Sequence, residues 1–189
     1  MSRPSTQKIT LAALLIAIGI AIPTFSPLKL VLEPASFTLA SHVPLFIAMF
    51  VSLPVAVAVA LGTTLGFFLG GFPLVIVLRA ASHIVFVLLG CPYLRRRPRA
   101  LLGRDGGQAF SFALGLVHGA AELCVAAAFY FSGGMAGGYY AKGFALSVLV
   151  LVGLGSVVHS MVDFAIAQTL LRALGAHKAL RPLFSVDVR

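Results

Sequence analysis

The sequence predicts an all-α integral membrane protein. It reads as one domain over 1–189, a bundle of six transmembrane helices with both termini in the cytoplasm. Three observations carry this. First, 60% of the 189 residues are hydrophobic and only 10% are charged, against roughly 25% charged in soluble domains. Such a chain cannot cover a globular surface with polar groups. Second, several stretches approach or exceed the ~20 apolar residues that cross a bilayer. In lipid such runs must be helical, because every backbone group has to bond internally. The ~10-residue alternation of an outer-membrane barrel is absent. Third, the basic residues gather in loops and tails beside the apolar runs, as topology signals do.

The elements follow in order. Helix one covers 8–24 and ends at Pro23 and Pro27. It begins after Arg3 and Lys8 but runs into "IPTFSPLKLV" with no small-x-small site, so it does not read as a cleaved signal peptide. A less apolar loop, "SPLKLVLEPASFTLAS", comes next. Helix two is short, 42–53, and Pro54 breaks it from helix three at 55–70. "GGFP" at 70–73 makes a tight turn into helix four, 73–91. The charged stretch "CPYLRRRPRALLGRDGGQ" reads as a loop. Helix five covers 109–131, a glycine-rich loop with paired tyrosines covers 132–143, and helix six covers 144–174 before a polar tail. No heptads, soluble domain or internal repeat are visible.

Arg95, Arg96, Arg97, Arg99 and Arg104 lie between helices four and five. Arg172, Lys178, Arg181 and Arg189 lie at the C-terminal end, and Arg3 and Lys8 at the N-terminal end. With six helices these regions share one side, which the positive-inside rule makes cytoplasmic. The opposite loops carry only Lys29 and Lys142 as basic residues. The net charge of +9 is therefore a topology signal, and no nucleic-acid partner is expected.

Three ionisable pairs interrupt the apolar helices: Arg79 with His83, His118 with Glu122, and His159 with Asp163. Residues four apart share a helix face. An intramembrane charge costs about 2.5–3.5 kcal/mol on insertion scales, so it needs a partner, water or a ligand. At ~1.5 Å per residue, Arg79 lies roughly 9 Å and Glu122 roughly 14 Å from the outer ends of their helices. These two can meet. Asp163 counts as deeper, so the three pairs are expected to fall into two groups. The outer group of Arg79, His83, His118 and Glu122 reads as a ligand site. One fixed cation, one carboxylate and two imidazoles complement a small anion with a basic ring nitrogen, its carboxylate on Arg79. The alternative is an interhelical ion pair that fixes packing, and a His159 that only bonds Asp163.

Cys91 and Cys124 lie in apolar helices with no metal-ligand spacing and read as packing. The ATP-binding pattern GxxxxGK followed by Ser or Thr is absent, as are HExxH, GxSxG and CxxC. No cofactor and no metal are expected, since no ligand set appears beyond the i, i+4 pairs. No nucleophile sits beside a base, so the chain does not read as an enzyme. A self-sufficient transporter would show a duplicated half. Metal uptake and intramembrane catalysis, with Glu122 and His118 as base and acid, stand as rivals.

Ala13, Ala17 and Ala21 recur every four residues in helix one, and Gly62, Gly66 and Gly70 do so in helix three. Small-xxx-small stripes allow close approach of another helix, within the chain or from a partner. Together with the six-helix length, the long loop after helix one and "SHVPLFIAMFVSLPVAVAVALGTTLGFFLGGFP", the alanine stripe resembles the substrate-binding (S) components of energy-coupling factor (ECF) vitamin transporters. "EPASFTLASHVPLFIAMF" with "LRAASH" is similar to the niacin-type members. The resemblance implies a multi-pass protein of the bacterial cell membrane. It would bind a vitamin and dock on a transmembrane coupling subunit driven by two ATP-binding cassette ATPases. Carried onto this chain, the alanine stripe is the docking face and "EPASFTL" (33–39), with Glu33 and Phe37, is the lid. Arg79, His83, His118 and Glu122 fall in ligand-binding helices, with His159 and Asp163 below them. There is no tryptophan, so Phe37, Tyr139 or Tyr140 would stack on a vitamin ring.

Overall fold

A computed structural model describes residues 6–32, 35–96, 104–177 and 180–184. Helical segments occupy all six stretches read as helices: α1 (Thr6–Phe25), α2 (Val43–Val51), α3 (Leu53–Leu69), α4 (Leu74–Arg96), α5 (Arg104–Phe131) and, after the short α6 (Gly137–Ala141), α7 (Ala145–Ala176). The first ten residues of α7, Ala145–Leu154, are wound as a π-helix. Among the described residues, α1, α4, α5 and α7 are long and apolar enough to cross a membrane.

The distribution of polarity is that of a protein in lipid. Large apolar side chains such as Leu14, Leu65, Phe68, Leu89, Phe112 and Leu154 lie exposed, while His118, Glu122, Ser156 and Asp163 are buried. All nine residues of α2 are buried, as expected of a helix that is apolar on every side. It sits at the centre, in contact with α1, α3, α4 and α7. Phe46 and Phe50 of α2 pack with Phe164, and Phe46 also meets Phe86. At about 1.5 Å per residue, α2 is roughly 14 Å long, under half of the ~30 Å hydrocarbon core. Its N-terminus therefore starts inside the bundle. Ser52, extended at φ −177°, separates it from α3, and its Oγ accepts from the Val55 amide. Pro54 sits in the first turn of α3, where its missing N–H costs nothing.

Glycines set the closest crossings. A Cβ on Gly62 or Gly66 would run into Ile16 or Ile20 of α1, so these two glycines of the stripe pack within the chain. On α5, a Cβ at Gly119 would stand 2.8 Å from the Gly153 carbonyl of α7. The Ala13 and Ala17 side of α1 is exposed instead, with Ala21 half-buried beside it.

Three stretches differ from the sequence reading. The loop after α1 holds an antiparallel hairpin, β1 (Lys29–Leu32) with β2 (Ala35–Thr38), in which Leu30 pairs with Phe37. Its turn, with Glu33, lies outside the described residues. Next, α4 does not stop at Pro92 but continues to Arg96, and α5 begins at Arg104; residues 97–103 between them lie outside the described residues. Arg95 and Arg96 in the last turn of α4 suit the negative end of its dipole. Finally, the glycine-rich loop contains α6, tied down by Tyr140, whose hydroxyl donates to the Tyr130 carbonyl and accepts from the Met135 amide. The predicted "GGFP" turn is present, with Gly71 at φ +74°.

Ala40, between β2 and α2, is the one described non-glycine residue at positive φ, +68°. The left-handed region costs about 1–2 kcal/mol for a residue with a Cβ. Part of that returns as lost chain entropy when glycine is substituted. Ala40→Gly is expected to raise stability by about 0.5–1 kcal/mol, read as a higher unfolding temperature of the purified protein.

Candidate ligand site

Two buried carboxylates organise the interior. Glu122 lies one helical turn after His118 on α5, facing α4 and α7. Its Oε2 accepts from Arg79 Nη2 at 2.8 Å and from the Ser156 hydroxyl of α7. Its Oε1 lies 3.4 Å from His83 Nε2 on α4 and 3.4 Å from His118 Nε2. One side chain thus ties three helices together.

Asp163 on α7 has a fully buried side chain. Its Oδ1 accepts from the Ala40 amide at 2.7 Å, and its Oδ2 accepts from the His42 amide at 2.9 Å. His42 Nδ1 lies 3.0 Å from the same Oδ2. Facing an acceptor-only carboxylate, that nitrogen is the one that carries a proton. His159 Nε2 lies 3.0 Å from Ser41 Oγ.

The expected separation of the pairs by depth is not what the structure shows. His42 joins them into one cluster. Its ring centroid lies 4.9 Å from His83, 4.7 Å from His118 and 4.9 Å from His159, and His83 lies 4.8 Å from His118. Counting along α7 assumed that its partners hang from one outer surface. In fact the chain after β2 descends into the bundle, so α2 begins level with Asp163. The sequence reading missed His42. Its signal was an imidazole directly before an unbroken apolar run, in "SHVPLFIAMFV".

Beside this cluster is a cavity of about 240 Å³, lined by Phe37, Arg79, His83, Glu122, Tyr139 and His159 among others. His118 lies behind that wall, 1% exposed. The Phe37 ring stands 5.5 Å from the His159 ring. Burial pushes the Tyr139 phenol above its ordinary pKa, so it stays a neutral donor. Exposed Lys29 stands at the rim. Phe37 and His159 also border a larger, almost wholly apolar hollow of about 450 Å³, with Leu30, Val150, Leu154 and Val162 on its walls.

Phe37 rests on the end of the π-wound stretch, where a Cβ on Gly155 would stand 2.5 Å from its ring tip. A ring tip can swing aside where backbone cannot. Gly155→Ala is therefore expected to hold Phe37 off the cavity and weaken ligand binding several-fold. The unfolding temperature without ligand should change little, and both are measured on the same preparation.

An apolar exterior, membrane-length helices and a cavity lined by charged and aromatic side chains mark a multi-pass membrane protein. The chain is 40% identical over 186 residues to the niacin transporter NiaX of Lactococcus lactis subsp. cremoris (strain MG1363), covering 98% of this chain and 80% of that protein. It belongs to that family, the niacin-type S components, and is a multi-pass protein of the cell membrane. No protein-family model matches the chain, and no solved structure matches it.

Proposed function

We propose that the protein is the membrane-embedded binding subunit of an ECF importer and captures nicotinate from outside the cell. The observation that carries this is the cavity itself: a guanidinium, imidazoles and aromatic rings converge in it, in a chain of the niacin transporter family. Its volume suits a single-ring ligand, since drug-sized molecules occupy pockets of roughly 300–1,000 Å³. Arg79 spends one Nη on Glu122, and its buried Nε has no hydrogen-bond partner. That donor capacity remains for a ligand carboxylate, for which the planar fork is suited. Phe37 and Tyr139 flank the ring, and an imidazole faces the pyridine nitrogen. The turn after β2 and α2 together make the second of six passes, which leaves both termini cytoplasmic. The Ala13, Ala17 and Ala21 side of α1, exposed at Ala13 and Ala17, is the docking face for a transmembrane coupling subunit carrying two ATPases. The chain itself performs no chemistry.

Calorimetry on the purified protein tests the ligand role. Nicotinate should bind at least tenfold more tightly than the neutral amide nicotinamide, and Arg79→Ala should abolish that preference. Equal affinities in the wild type, or an unchanged preference in Arg79→Ala, would remove the carboxylate role. Uptake by cells tests docking: Ala13→Trp and Ala17→Trp should block uptake while leaving nicotinate binding intact, and normal uptake would exclude the face.

A further inference from the structure

We propose that His42, His83, His118 and Glu122 hold one resident divalent transition-metal ion of the zinc class, with its open coordination position toward the cavity. Each residue offers one ligand atom, and these atoms all lie within 4.8 Å of one another. Three imidazoles and a carboxylate suit such ions in four-coordination, which can expand to five when a ligand adds a donor.

Three independent features support the site. The first is His118. It is 1% exposed, and neither ring nitrogen has a hydrogen-bond partner. Its Nε2 is 3.4 Å from Glu122 Oε1 but not in hydrogen-bond geometry. A buried polar group left unsatisfied is costly, and a metal ion would give one of these nitrogens a partner. The second is Asp163. With two backbone amides and His42 Nδ1 already on it, it serves the site from behind. It fixes the tautomer that turns the Nε2 lone pair of His42 toward the other imidazoles, the carboxylate–histidine–metal arrangement that accompanies most metal-bound histidines. The third is charge. At the cavity wall one guanidinium, Arg79, meets the carboxylate of Glu122, and a second carboxylate, Asp163, is buried behind His42. With uncharged imidazoles the buried set stands at minus one, which repels an anion; Lys29 is at the exposed rim. A divalent ion turns the set to plus one, matched to a monoanion.

Three of the four ligand residues, His42, His83 and Glu122, line the cavity, so the open position is reachable from it. A ligand with its carboxylate on Arg79 would present its pyridine nitrogen there as a further donor. This last step rests on the nicotinate reading; the metal site does not.

Cobalt(II) is the probe, because its visible bands are intense in four-coordinate nitrogen–oxygen sites. Chelator-treated, detergent-purified protein should bind one Co²⁺ per chain with such bands. His83→Gln and His118→Gln should each weaken binding at least tenfold, and Asp163→Asn by roughly 10–100-fold. His177→Ala, at a histidine outside the cluster, should change nothing. His83 is part-exposed, so its variant reports even where His118→Gln fails to fold. Nicotinate should shift the bands and should bind at least tenfold more weakly to the metal-free protein. Absence of stoichiometric Co²⁺, or unchanged affinity in His83→Gln, overturns the site. Co²⁺ binding with bands that nicotinate leaves in place, while calorimetry shows nicotinate bound, overturns direct coordination and keeps the site. If nicotinate binds neither form, the nicotinate reading fails and the cobalt titration alone decides the metal.

Discussion

Glu122→Ala is expected to destabilise the protein by about 3–5 kcal/mol, the cost of stranding a buried charge. Removing this carboxylate leaves the Arg79 guanidinium and the Ser156 hydroxyl without their acceptor, and two imidazoles without their neighbour. Because α4, α5 and α7 meet on it, the loss falls on interhelical contacts, and the unfolding temperature of purified protein should drop sharply. The paired variant Arg79→Met with Glu122→Leu separates charge from packing. Buried ion pairs replaced by apolar residues of similar size are often neutral or stabilising, so the double variant should recover most of the lost stability. It should still bind no nicotinate. If Glu122→Ala unfolds at the wild-type temperature, the carboxylate is not what holds these helices together.

Asp163→Ala is expected to have the second-largest effect, at a different place. It removes the shared acceptor of the Ala40 and His42 amides and of His42 Nδ1. Hydrogen bonds to a charged group contribute about 1.5–3 kcal/mol each, and here they also hold Ala40 in its left-handed conformation. The junction between the hairpin and α2 should loosen. Protease should cut between residues 26 and 42 in the variant while sparing the wild type, and nicotinate affinity should fall at least 100-fold. Asp163→Asn keeps acceptor capacity at its amide oxygen and should lose less on both measures. A variant as protease-resistant as the wild type would show that the junction is held by other contacts.

Much of this was legible before the structure. Composition alone requires helices in lipid, and each helical stretch lies where apolar runs and prolines put it. Arg79 and Glu122 meet as their positions along α4 and α5 require. What one sequence could not reveal was contact between residues far apart along it. His42 and Asp163 are 121 positions apart, and i, i+4 spacing speaks only within one helix. Depth arithmetic failed for a related reason: it treats every helix as starting at the membrane surface, whereas the wholly buried α2 starts within the bundle. The hairpin was hidden too. "KLVL" and "ASFT" are short and contain few β-branched residues, so pairing between them, not propensity, makes them strands. Pro92 misled in the opposite direction, since the α4 turns beyond it persist despite its missing donor.

The covering of the cavity by Phe37 has a consequence for rates. Asp163 anchors Ala40 and His42, while the Phe37 ring just before them rests against Gly155 and His159 and takes no part in an ion pair. A bound molecule can leave when one phenyl ring swings, with every ion pair in place. Among related complexes, departure varies far more than arrival. On the nicotinate reading, the Phe37 ring would set residence time and the cluster behind it would set which molecule is recognised. A carrier that must hand its cargo on can thus adjust how long it holds on at position 155, without altering what it selects.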